Sequence, residues 1–205
     1  MTCVLLISGN IRETSLHTAA LRTAARFAPA EVTAVLWDGL AGMPAFVPGE
    51  PEPPRAVLDL RHRVATADAI LISTPEYAGS LPGSLKNTLD WLVDGGDLRG
   101  KPSAWLSVVA PGQDEGARTT LESILEEHGG ARLLRAACVR VPLEARSIDE
   151  HGLITEPRLH LALQDMLHAL IRVMAMGDTR QRPSWQANSS LYPVINRPTD
   201  RPTFF

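Results

Sequence analysis

Three short stretches of this 205-residue sequence combine residue types that could hold a ligand. The first, Ser8-Gly9-Asn10-Ile11-Arg12-Glu13-Thr14-Ser15, links an apolar run to the start of a helical pattern. A helix N-terminus offers free backbone N–H groups and partial positive charge. Ser8, Asn10 and Ser15 add side-chain donors and Arg12 a full charge, a set that suits a terminal phosphate. Hydrogen bonds to a charged group contribute roughly 1.5–3 kcal/mol each, so four or five of them would anchor a ligand. Taken alone, the stretch is equally a well-capped helix start with a surface arginine. It is neither a dinucleotide fingerprint nor a P-loop, because G-x-G-x-x-G and G-x-x-x-x-G-K-[ST] are both absent.

The second stretch, Thr74-Pro75-Glu76-Tyr77-Ala78-Gly79-Ser80-Leu81-Pro82-Gly83, has two prolines and two glycines, which fix a rigid turn and keep side chains out of the way. Such a loop can lay backbone amides along the edge of a flat heterocycle, with Tyr77 as a wall. The other reading is a tight loop with a core tyrosine. The third stretch is Ala110-Pro111-Gly112-Gln113-Asp114-Glu115-Gly116, with Asp114 placed to cap the helix that follows. The histidines, His17, His62, His128, His151, His160 and His168, show no metal-ligand spacing, and no H-E-x-x-H or C-x-x-C occurs. His17 alone stands at a helix start within reach of a phosphate. Cys3 and Cys138 lie in apolar runs and read as buried free thiols.

The elements that would position these loops follow from periodicity. Cys3–Ile7 is a continuous apolar run, as a strand buried on both faces requires. Leu16, Ala20, Ala24 and Phe27 repeat at helical spacing behind a Ser15 or Thr14 cap. Further strands are expected at Val32–Leu36, Ala69–Ser73, Ser103–Val109 and Leu133–Val141. Further helices are expected through Val57–Val64, Leu85–Leu92, Leu121–Leu125 and Leu159–Met174. Strands alternating with helices imply right-handed βαβ crossovers and a parallel sheet covered on both faces. In such a sheet, ligands bind beyond the carboxyl ends of the strands, where strand order reverses. The three loops leave strands one, three and four, at that end. Residues 1–177 read as one domain. Residues 178–205, with Pro183, Pro193, Pro198 and Pro202, read as an extended tail made adhesive by Trp185, Tyr192, Phe204 and Phe205.

Composition excludes other classes. Hydrophobic residues are 44% and charged residues 21% of the chain, which supports a packed core rather than disorder. A net charge of −3 without a basic run argues against nucleic acid. No apolar run approaches a membrane span, and the apolar start without a basic leader points to the cytoplasm.

Gly9-Asn10-Ile11-Arg12-Glu13-Thr14-Ser15 resembles the G-S-x-R-x-x-S phosphate loop of the NADPH-dependent FMN reductases. Pro75 to Leu92 resembles that family's P-E-Y-N-x-S-x-P-G-x-L-K-N-x-x-D-W signature. The resemblance implies a flavodoxin-like three-layer α/β sandwich, with a five-stranded parallel sheet in the order 2-1-3-4-5 and helices on both faces. It implies FMN with its phosphate on the first loop and its ring between the second and third. Cofactor contacts are then expected from Ser8, Asn10, Arg12, Ser15, Leu16 and His17, from Pro75, Glu76, Tyr77, Ala78 and Gly79, and from Ala110, Pro111 and Gly112. It further implies NAD(P)H as co-substrate, a flavin, quinone or similar small electron acceptor, and a homodimer or dimer of dimers. Asn10 stands for the family's serine, His17 for a common asparagine and Ala78 for the asparagine of P-E-Y-N.

Flavin chemistry requires no side-chain acid or base. Glu76 is therefore expected to hold its loop by bonds to backbone amides, Lys86 to be a surface or interface charge, and Asp90 and Trp91 to face a dimer partner. Asp114 and Glu115 are expected to put negative charge near the ring and make the flavin a stronger reductant. A flavin-binding module without turnover, or a flavodoxin-like domain without flavin, is the competing reading.

Overall fold

The computed structural model describes residues 1–175; the expected tail lies outside the described residues. The strands are β1 (Thr2–Ser8), β2 (Val32–Trp37), β3 (Ala69–Ser73), β4 (Pro102–Ser107), β5 (Arg132–Leu133) and β6 (Val139–Arg140). The helices are α1 (Leu16–Arg26), α2 (Arg55–Thr66), α3 (Gly83–Asp94), α4 (Glu115–Ser123) and α5 (Pro157–Ala175). All pairings in the sheet are parallel, in the order β2-β1-β3-β4-β5, with β6 also on β4.

Alternation along each strand divides the core into two layers. Val4, Leu6 and Leu71 pack with Ala20, Leu21 and Ala24 of α1 and with Leu163 and Leu167 of α5. Leu5, Ile7, Ile70 and Ile72 pack with Leu60 of α2, Leu85 and Leu89 of α3 and Leu121 of α4. Burying each such side chain contributes about 1.5–3 kcal/mol, which explains why the central strands are apolar at every position.

The expected fifth strand, Leu133–Val141, is two short pieces. Beyond Leu133 the chain leaves the ladder in a 3₁₀ turn, Arg135–Ala137, and rejoins β4 where Val139 and Arg140 pair with Leu106 and Ser107. At the break the Arg135 guanidinium reaches Glu122 at 3.1 Å and Glu126 at 2.6 Å on α4 and its π-helical continuation. Two alanines of low strand propensity follow it and give the ladder nothing to resist with.

The connection after β2 is tied down by the second signature. Asn87 of α3 accepts from Phe46 N at 2.8 Å and donates to Pro44 O at 2.8 Å. Trp91 Nε1 donates to the same carbonyl at 3.0 Å, and the Trp91 ring meets Phe46 edge-on at 5.1 Å. Trp91 is 1% exposed, so it does not face a partner as expected. It straps residues 44–46 to α3. Asp90 pairs with Lys86 one turn away at 2.6 Å, as a surface ion pair.

Candidate functional site

The first loop is built from the inside. Ser15 caps α1, accepting from Thr18 N at 3.1 Å. Thr18 Oγ1 lies 2.8 Å from both Ser8 Oγ and Ser15 Oγ. Asn10 Oδ1 accepts from Arg12 N at 2.9 Å and closes an Asx turn. The hydroxyls of Ser8 and Ser15 thus also hold the loop from within. Gly9 must be glycine: a Cβ there would overlap Thr74 Oγ1, because the first and second loops touch at that point. What remains free is a donor set. The amides of Leu16 and His17 have no hydrogen-bond partner among the described residues, as the first turn of a helix dictates. The Arg12 guanidinium is exposed and pairs with no carboxylate among the described residues.

His17 is turned away from that donor set. Its side chain is buried, with Nδ1 3.0 Å from Ser73 Oγ, while Ser73 donates to Leu106 O at 2.7 Å. Since the Ser73 hydroxyl spends its proton on the carbonyl, Nδ1 must carry the proton donated to Ser73. Burial pushes the imidazole pKa down to about 4, against a smaller opposing pull from Asp114. The ring is neutral, so its expected reach to a phosphate is not realised; only its backbone amide faces that way.

The second loop carries a two-residue turn. Tyr77 N and Ser80 O are 2.9 Å apart, and Ser80 N and Tyr77 O are 3.1 Å apart. Ala78 has φ 52° and Gly79 φ 72°, the signs of a type I′ turn. Asn or Gly suits the first of these positions better than alanine, which explains the asparagine in the family pattern. The amides of Glu76, Ala78 and Gly79 have no partner among the described residues, and Tyr77 is 51% exposed beside them. Glu76 Oε2 accepts from Ala117 N at 2.9 Å. It therefore caps α4 from another loop and ties the second loop to the third, as its expected structural role required. Gly116 completes that junction, since a Cβ there would overlap Gly79 O.

The third loop turns through Pro111 and Gly112 (φ 87°), with Gln113 N donating to Ala110 O at 3.2 Å. Proline and then a positive-φ glycine make a type II turn. Asp114 does not cap α4 with its side chain. It is buried, and its Oδ1 lies 2.8 Å from Arg140 Nη2, at an angle that makes the contact ionic rather than a directed hydrogen bond. Glu115 pairs with Arg118 and lies 3.4 Å from Arg140. The Arg118 hydrogen bond holds the Glu115 carboxyl below its usual range. The expected pair of bare negative charges is thus a network of two acids and two arginines.

FMN fits this arrangement in the chemistry of its donors. A cation and first-turn amides stand on the first loop, and unpartnered amides and an exposed aromatic ring stand on the second. The two meet at the point where the sheet order reverses. Sequence reasoning missed Thr18, Gly116 and Arg140. Thr18 was findable, three residues after a serine cap; Arg140 lies 25–30 positions from its partners and leaves no local signal. It also missed a cleft of about 380 Å³ on the β2 side of the first loop, lined by Asn10, Ile11, Arg22, Trp37 and Asp38 among others.

Comparison with known proteins agrees with the geometry. A quinone reductase of Escherichia coli is 36% identical over 104 residues, 48% of this chain and 55% of that protein. An NAD(P)H-dependent FMN reductase of Pseudomonas aeruginosa is 38% identical over 112 residues, 52% of this chain and 60% of that protein. The chain thus matches little more than half the length of these curated relatives. Among solved structures, FerB, a flavoenzyme NAD(P)H:(acceptor) oxidoreductase from Paracoccus denitrificans, superposes with a TM-score of 0.71 at 25% identity, over 84% of this chain and 96% of that one. The family model for NADPH-dependent FMN reductase matches residues 2–141, and the chain belongs to that family.

Proposed function

We propose that the chain is an FMN-dependent NAD(P)H oxidoreductase, with residues 1–177 as its flavin-binding domain, that passes electrons to a flavin, quinone or similar small acceptor. The observation that carries this reading is the junction of three loops at one end of the sheet, with free amides and Arg12 on the first loop and free amides on the second. When bound, FMN would accept a hydride at N5 and deliver electrons to a second molecule, which makes turnover ping-pong.

The chain's own residues bind and orient. Arg12 and the Leu16 and His17 amides would receive the phosphate. The Glu76, Ala78 and Gly79 amides would line the ring edge and Tyr77 would form a wall beside it, while Glu76 fixes the second loop to the third. No side chain of the three loops is assigned a proton transfer: Glu76 is engaged with α4, and the nearby His17 is neutral and bonded to Ser73. The names of the relatives, quinone reductase and 2-hydroxy-1,4-benzoquinone reductase, favour a quinone among the possible acceptors. A homodimer or dimer of dimers and a cytoplasmic location belong to the same proposal. No helix of the described residues is long and apolar enough to cross a membrane.

The test is anaerobic. The FMN-loaded protein is mixed with NADH or NADPH and its visible spectrum followed; a quinone is then added. Bleaching of the flavin band and its return on adding quinone is the expected result. A flavin that neither dinucleotide bleaches would make the protein a binding module, and failure to retain flavin would remove it from flavin chemistry.

A further inference from the structure

Arg140 stands outside every motif of the family resemblance, on the two-residue strand β6. Its position follows from the break in the expected fifth strand. Because the chain leaves the ladder at Arg135 and returns at Val139, Arg140 lands beside Ser107, at the end of β4 where the third loop begins. Its guanidinium then touches both ends of that loop. Nη1 donates to Ala110 O, the first residue of the turn, at 3.0 Å. Nη2 lies 2.8 Å from Asp114 Oδ1, at the last residue before α4. Glu115 Oε1 is 3.4 Å from the same nitrogen. The Arg140 side chain is 18% exposed and that of Asp114 5%, so solvent screens this pair far less than a surface ion pair.

Glu115 has its own partner in Arg118, whereas among the described residues Asp114 has no directed hydrogen bond to its Oδ1 and no second cation within ion-pair distance. Arg140 is thus the group that neutralises a buried carboxylate at the third loop, which Glu76 and Gly116 join to the second loop where, on the reading proposed above, the flavin ring lies. A reduced flavin carries more negative charge than an oxidised one, so an uncompensated carboxylate at this place disfavours the reduced form.

We propose that Arg140 is a positioning residue that clasps the third loop at both ends and, by neutralising Asp114, sets the reduction potential of the bound flavin. Because it acts through Asp114, removing Asp114 should cancel the effect of removing Arg140.

The experiment is a spectroelectrochemical titration of the FMN-loaded protein as wild type, Arg140→Met, Arg140→Lys and Arg140→Met with Asp114→Asn. Arg140→Met is expected to bind reduced FMN at least tenfold less tightly relative to oxidised FMN, which is a fall of about 30 mV for a two-electron couple. The double variant is expected to return to the wild-type potential, and Arg140→Lys to stay near it. An unchanged potential in Arg140→Met, or a double variant as low as the single, overturns the proposal. Should Arg140→Met fail to fold, the other two variants decide: a potential well below wild type in either overturns it, and wild-type potentials in both sustain it. Failure of the wild-type protein to take up FMN would instead refute the proposed function, and the first loading step distinguishes the two.

Discussion

Acidification should destabilise this protein through His17, and the size of the effect follows from its burial. The imidazole is 4% exposed, bonded to Ser73, and its pKa lies near 4 against an ordinary value of 6.5. The folded pKa is depressed, so between these values the unfolded chain binds the proton and the folded chain does not. Stability therefore falls as pH drops through 6.5 and levels off below about 4. At pH 5 the loss is about 2 kcal/mol, and the full difference is about 3 kcal/mol. The assay is urea unfolding from pH 8 to pH 4.5 for wild type and His17→Gln, since glutamine can donate to Ser73 without titrating. Other groups cancel in the difference between the two curves. That difference should change by about 2 kcal/mol between pH 7.5 and pH 5, with wild type the one that loses stability. Parallel curves, or a wild type that gains on acidification, would show that His17 is not a buried neutral ring and that Asp114 outweighs its desolvation.

Three further substitutions test the loops. Ala78→Asn should relieve the positive-φ strain at the turn and raise stability by about 0.5–1 kcal/mol, seen as roughly 1–4 °C in Tm, whereas Ala78→Val should lower it. Glu76→Ala should cost about 1–2 kcal/mol by uncapping α4 and should loosen FMN. Glu76→Gln keeps an acceptor for Ala117 N, so it should retain NAD(P)H turnover within a few-fold, and a complete loss would give Glu76 a chemical role. Arg12→Ala should leave urea unfolding of the apoprotein unchanged while weakening FMN roughly ten- to a hundred-fold in a fluorescence titration.

The layer architecture was legible because parallel strands buried on both faces must be apolar throughout, as Val4–Ile7 and Ala69–Ile72 are. The loops were legible as loops because proline and glycine dictate their turns: Pro111-Gly112 forms the turn its composition demands. The split of the last strand was not legible. It coincides with Arg135 meeting Glu122 and Glu126 across two elements, and strand periodicity carries no record of such a meeting. The second signature was over-read for a related reason. Trp91 was expected to face a partner, yet its indole N–H, with Asn87 beside it, goes to residues 44 and 46, a strap rather than an interface. Asp114 looked like a helix cap from position alone, and its capture by Arg140 is a contact between residues 26 apart.

Titrating the apoprotein with FMN and with riboflavin, which lacks the phosphate, tests the central claim that Arg12 and the first-turn amides of α1 hold a flavin phosphate. With several charge-assisted contacts at roughly 1.5–3 kcal/mol each, FMN should bind at least about a hundred-fold more tightly than riboflavin, and Arg12→Ala should shrink that ratio. Equal affinity for the two flavins, or a ratio untouched by Arg12→Ala, would contradict the account.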